Sequence, residues 1–300
     1  MLDLVQESFN KGNEVYCSPG KINYYYHAIS AAYFRHKGHL DSAMKLYREA
    51  RKHLSAVEDN GEEARRLAFG RACTLVNQGF FLKAREEVVP LRMYAPNATS
   101  IGWIINYLSG VLETHSGNYS KARPLLFECL STAKTEHHSS HIAMAAHAVG
   151  YMRYCETQYI DAIEHFDMSI ERTDPSHQNH WHSLYYKALS MSEFGNNDAF
   201  KNLVEHGKAL SKGDTLYETL FRAAECLMDI KNMDNLDFLY SAVFKLQEFR
   251  FFIPSMYYCD VLLEHMPEDS EDINDIKKIA KVLRLKVALN DRFYKGGDQQ

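Results

Sequence analysis

The sequence predicts an all-α fold: a right-handed superhelix (an α-solenoid) of about five helix pairs, closed by a helical C-terminal cap. Three observations carry that expectation. An alanine recurs at Ala43, Ala84, Ala122 and Ala162, at intervals of 41, 38 and 40 residues. Leucine or an aromatic stands three residues before each, at Leu40, Phe81, Tyr119 and Tyr159, and Gly38, Gly79 and Gly117 stand five residues before the first three. Apolar positions elsewhere follow helical spacing without alternating β-rich runs, and the seven prolines fall between segments or near helix starts. A fixed period of about 20–50 residues marks stacked repeats, each burying its apolar face against its neighbours.

The elements follow in order. Residues 1–21 form an N-terminal segment. The first pair is expected at 22–36 and 40–57, the second at 61–77 and 81–91, closed by Pro96. The third spans 100–115 and 119–135, and the fourth 140–156 and 159–172, closed by Asp174-Pro175. A looser fifth pair spans 179–193 and 199–211, completing a repeat region over 22–213. Asp41, Asn118 and Asp161 supply caps or first-turn charge to the second helices. Past Gly213 the glycine punctuation stops, and residues 214–294 read as divergent helices at 215–230, 235–249, 253–265 and 272–293. The last carries Ile276, Ile279, Leu283 and Val287 on one stripe and is read as a capping helix, with a homodimer seam as the alternative. Residues 295–300 are expected to be a disordered tail.

Small residues at the helix crossings, Gly110 and Gly150 with Ala31 and Ala72 in the equivalent places, let the paired helices approach. Tyr47, Val88, Leu126 and Phe166 are expected to plug the gap to the next unit. This order of small residue, glycine, aromatic, alanine, aromatic and proline resembles the tetratricopeptide repeat. The second unit carries it as Ala72, Gly79, Phe81, Ala84 and Pro96, with a period longer than the usual 34 or so. The stretches Tyr24–Ile29, Leu40–Leu54, Val57–Asp59, Glu62–Ala64 and Glu205–Asp214 further resemble the Rap-type (Rap/Rgg/PlcR-like) regulators. That family comprises cytoplasmic peptide-sensing proteins of Gram-positive bacteria and their phages. The resemblance covers roughly residues 22–290. It implies a receptor for a short linear peptide on the concave face, whose binding alters superhelix pitch and partner contacts. About twenty residues precede the first repeat, too few for the family's N-terminal effector or DNA-binding module. Ala148 stands where the family tends to place an asparagine that grips peptide backbone.

Composition narrows the function. Hydrophobic content is 46%, charged content 24% and net charge −5, with no dense basic run, which argues against direct nucleic-acid binding. The six cysteines, none spaced Cys-x-x-Cys, suit a reducing compartment. No signal peptide is evident at the start and no run of about 18 apolar residues exists, so no membrane partner and a cytoplasmic location are expected. The Asn-x-Ser/Thr triplets at Asn97 and Asn118 are then irrelevant to glycosylation. No phosphate loop, Gly-x-Ser-x-Gly elbow or His-Glu-x-x-His motif occurs, so neither enzymatic activity nor a cofactor is expected.

Stacked pairs line their concave face with the first helix of each pair. The residues expected in the peptide or partner groove are Arg66, Phe69 and Asn77, with Cys73 and Val76, in the second unit; Tyr107, Val111 and His115, with Ile104 and Thr114, in the third; Met144, His147, Tyr151 and Tyr154, with Cys155, in the fourth; and Trp181, with Leu184, Ala188 and Met191, in the fifth. The mixture suits an apolar segment with limited hydrogen bonding. The function expected is a non-enzymatic regulator that holds a short peptide or an extended segment of a protein and changes its interaction with a regulated partner. Three alternatives stand beside it: a structural scaffold without a small ligand, an indirect transcriptional regulator whose partner supplies the DNA-binding part, and a metal-dependent protein. The last would use His137, His138 and His141, where the i, i+4 pair can share a metal, although a solvated loop is the plainer reading.

Overall fold

The computed structural model describes residues 18–58, 60–94, 99–175, 177–249, 251–267, 270 and 272–292. These form fourteen α-helices in seven successive pairs, with no strand among the described residues. The pairs are α1 (Pro19–His36) with α2 (Leu40–Lys52), α3 (Asn60–Asn77) with α4 (Phe81–Tyr94), α5 (Thr99–His115) with α6 (Tyr119–Thr135), and α7 (Ser139–Cys155) with α8 (Tyr159–Ile170). They continue as α9 (Gln178–Glu193) with α10 (Asn197–Leu210), α11 (Thr215–Cys226) with α12 (Met233–Glu248), and α13 (Phe252–His265) with α14 (Ile273–Arg292). Pairing therefore persists beyond the five units expected from the period. Four boundaries differ from expectation by three residues or more: α1 begins at Pro19, α2 ends at Lys52 before a 3₁₀ turn over Leu54–Ala56, α4 runs through Pro90 to Tyr94, and α11 ends at Cys226 before a 3₁₀ turn over Leu227–Asp229. Most of the N-terminal segment, the 295–300 tail, Pro96 and Asn97 lie outside the described residues.

The period resides in the turns. At five of the turns inside a pair an N–H reaches back to a carbonyl five residues earlier: His39 to Phe34, Phe80 to Leu75, Asn118 to Glu113, Gln158 to Arg153 and Asn196 to Met191, at 2.8–2.9 Å. Such a bond closes a helix end through one left-handed residue. That residue is Gly38, Gly79, Gly117, Thr157 and Gly195 in turn, with φ of 77°, 73°, 74°, 59° and 85°. Ser18, Asn196, Asp214 and Asn232 cap the helices that follow them through their side chains, whereas Asn118 does not: its amide donates to Glu113 instead.

Packing follows from side-chain size. Ala43, Ala84, Ala122 and Ala162 are each 0% exposed, consistent with close approach of the paired helices. A Cβ on Gly110 would come within 2.6 Å of Leu126, and one on Gly150 within 2.8 Å of the Phe166 ring. Leu126 and Phe166 therefore fill the crossing inside their own pair, and Phe166 also reaches the next one, stacking on Tyr186 at 6.3 Å. Neighbouring first helices (α1, α3, α5, α7, α9, α11) touch one another across the pairs, which makes them the inner layer.

The solenoid curls until its ends meet. Leu40 joins Trp181, Leu216 and Tyr217 in one core, and the Lys37 ammonium lies 3.7 Å from Asp214. Phe80 meets Phe252 edge-on at 6.0 Å, and α4 touches α14. The α14 stripe turns inward: Ile276 and Leu283 are 0% exposed, buried in this chain's own core, so they form no seam between copies; the side chain of Val287 lies outside the described residues.

Candidate ligand cleft

Curling encloses a cleft with about 1020 Å³ of empty space, part of it open to solvent. It crosses the inner helices obliquely. It meets α1 at its C-terminal end (Arg35), the last turns of α3 (Val76, Asn77), the C-terminal half of α5 (Tyr107, Val111, His115), the middle of α7 (Met144, His147, Tyr151) and the N-terminal half of α9 (Asn179, His182, Tyr186). Phe251, Ile253 and Pro254, where α13 begins, close the far side.

Of the residues expected from sequence, Cys73, Val76, Asn77, Tyr107, Val111, Thr114, His115, Met144, His147 and Tyr151 border this space together. Arg66, Phe69, Ile104, Tyr154, Cys155, Trp181, Leu184, Ala188 and Met191 do not. Arg66 points outward and pairs with Glu62 and Glu63. Phe69 packs against the Tyr107 ring at 6.2 Å, and Tyr154 wedges between Tyr159 and Tyr186. Trp181 is buried, stacked on Tyr217 at 5.1 Å, with its indole N–H donating to the Pro175 carbonyl at 2.6 Å. The oblique path explains the difference. One set of helical positions applied to every unit runs parallel to the stack, and it leaves the cleft at both ends.

A ladder of rings forms the inner wall. His115 stacks on Phe81 at 4.6 Å and leans on Tyr151 at 5.0 Å, and Tyr151 meets Tyr186 edge-on at 4.9 Å. The Nδ1 of His147 lies 2.9 Å from the Ser183 hydroxyl. Burial holds the histidines neutral: His115 and His147 are pushed down to about 4. His182 falls to about 3, chiefly by burial and then by its neighbours His147, His177 and Arg35. The Tyr151 phenol is driven well above its usual range, again chiefly by burial. At neutral pH the ring wall is therefore uncharged, and no aspartate or glutamate lines the cleft.

Arg35, His182 and Tyr186 were missed from sequence. Carrying the groove positions of the second unit back one period would have selected Arg35, which corresponds to Val76. His182 and Tyr186 needed the oblique path, and Phe251–Pro254 are the cap and first turn of a helix with no repeat signature. At the alternative metal site, His137 occupies a left-handed turn and His141 stacks on Trp103 at 4.2 Å. Among the described residues no group of three or more His, Cys, Asp or Glu side chains is arranged to hold a metal ion. No helix among them is long and apolar enough to cross a membrane.

No protein-family model matches this chain, and no curated protein matches it in sequence. Solved structures match it in fold. A Rap protein complexed with competence and sporulation factor superposes with a TM-score of 0.69 at 15% identity, over 97% of this chain and 79% of that one. The apo form of RapI superposes with a TM-score of 0.55 at 17% identity, over 91% of this chain and 99% of that one. The chain thus has the all-α, tetratricopeptide-like superhelical fold of the Rap proteins.

Proposed function

We propose that this protein is a non-enzymatic regulator that holds a short peptide, or an extended segment of a partner, in the enclosed cleft, and that occupancy alters contact with a regulated protein. The cleft itself carries this reading: apolar and aromatic walls, a few amide and imidazole groups, and floor helices drawn from five successive pairs. Such a lining favours a chain with apolar side chains and a small number of backbone hydrogen bonds. The fold-sharing Rap protein solved with competence and sporulation factor supports it. The same contacts that enclose the cleft join the first pairs to the last, so a ligand pressing on Phe251 or Tyr186 would bias that closure and change the outer surface.

The test is retention of a randomised pentapeptide pool on the purified protein, read by mass spectrometry, with Tyr151→Ala in parallel. Tyr151 is only partly buried and bridges His115 to Tyr186, so its loss should weaken retention about tenfold or more with helix content unchanged. Equal retention by both proteins would remove the cleft as the binding site.

A further inference from the structure

Arg35 is an anomaly in this cleft. Its guanidinium borders the cavity, its Nε is shielded from solvent without a hydrogen-bond partner, and among the described residues no carboxylate pairs with it. Its polar neighbours carry no counter-charge: the guanidinium donates a hydrogen bond to the Tyr47 hydroxyl, and a terminal nitrogen sits 3.4 Å from His36 Nε2. Guanidinium stays protonated at any physiological pH, so this charge cannot escape by titration. Arg35 is half-buried, and a cation drawn out of water without a counter-charge is costly, so natural proteins rarely keep one.

The surroundings sharpen the point. His36 and His177 lie ring to ring at 5.3 Å beside Arg35, and its positive charge adds to burial in keeping both neutral. Beside them α9 begins at Gln178; His177 caps the Asn179 N–H, and the helix N-terminus still presents partial positive charge there. Asn179 in that first turn has a shielded side-chain N–H with no partner. Donors therefore converge on one end of the cleft, while the cleft contains no acid to receive them.

We propose that Arg35 anchors a carboxylate of the ligand, with Asn179 as a second donor. The proposal rests on the peptide-binding reading above and specifies its chemistry. The ligand would be a largely apolar peptide bearing one carboxylate at the Arg35 end, either its C-terminus or an Asp/Glu side chain. Lysine or arginine facing the ring wall would be disfavoured, since nothing there could pair with it. The planar fork of arginine fits a carboxylate with two parallel hydrogen bonds, which a lysine cannot reproduce.

The experiment uses the full chain and three randomised pentapeptide pools: one with free C-termini and all residues, one C-terminally amidated, and one with free C-termini but without Asp and Glu. Wild type should retain the first. It should lose either the amidated or the acid-free pool, and which one it loses names the source of the carboxylate. Arg35→Gln should retain the first pool about thirtyfold less, with Arg35→Lys in between. In the absence of peptide, millimolar acetate should raise the wild-type unfolding temperature more than chloride does, and should not do so in Arg35→Gln. Retention of all three pools by wild type, undiminished in Arg35→Gln, would overturn the anchor and leave the peptide reading standing. Retention of none, with no acetate effect, would overturn both.

Discussion

One residue breaks the pattern of the turns, and it offers a clean measurement. Thr157 holds the left-handed conformation that glycine holds at the equivalent turns. A β-branched side chain there is strained by about 1–2 kcal/mol, part of which glycine's greater chain entropy gives back. Thr157→Gly should therefore stabilise the protein by about 0.5–1 kcal/mol in urea unfolding. The converse control is Gly117→Ala. A Cβ there would meet nothing within 4 Å, so the expected loss of about 1 kcal/mol comes from φ alone. If neither change moves the midpoint, the turns are more pliable than their hydrogen bonds indicate. At this scale the sequence was readable where side-chain size alone decides the outcome. The buried alanines and the helix-ending glycines are such cases. Thr157 was not, because a threonine carries no mark of positive φ and only its place in the period betrays it.

At the scale of elements, pair after pair follows the same rule, and the informative contacts are those between pairs far apart in sequence. Leu216, on α11, is 1% exposed and closes over the turn at Gly38. It joins Leu40 of the first pair to the core of the last pairs. Leu216→Ala should cost about 2–5 kcal/mol, as deletion of a buried leucine does. Because the lost contact is at the seam, it should also expand the molecule in small-angle scattering. Destabilisation with unchanged dimensions would mean that Leu216 supports only its local core. Local periodicity revealed the first five pairs because each is specified by contacts within one period of about 40 residues, such as Gly110 with Leu126. It could not reveal the seam, where Leu40 meets Leu216 and Phe80 meets Phe252, since nothing in a repeat encodes how far the array curls. The oblique path of the cleft has the same origin, which is why Tyr107, His115 and Tyr151 were found and Trp181 was misplaced. The α14 stripe was legible as apolar, but its inward direction depended on the curl.

For the whole molecule, curling concentrates histidines in one interior, and this gives the protein an acid-sensitive stability. His36 and His182 fall to about 3, and His115 and His147 to about 4, from an ordinary 6.5. Burial is the main cause in each case, reinforced for His36 and His182 by the Arg35 charge. A folded-state value below the unfolded one means that the fold prefers the neutral ring. Above pH 6.5 neither state binds these protons, and the stabilisation is complete. As pH falls below 6.5 the unfolded chain takes up protons that the fold refuses, so stability drops by about 1.4 kcal/mol per pH unit for each such histidine. The loss levels off once pH passes below the folded values. Asp174 works against this trend at His177 and His180, which makes those two weaker contributors. The unfolding temperature should thus stay level between pH 8 and 7 and decline steeply from 6.5 to 5, a window in which ordinary carboxylates remain largely ionised. An unchanged midpoint at pH 5 would mean that these rings are hydrated and the interior is open. A carboxylate seated on Arg35 would offset the positive charge that helps keep His36 and His182 neutral, so a bound ligand should flatten the decline. Binding and acid resistance would then rise together, and Arg35→Gln should uncouple them.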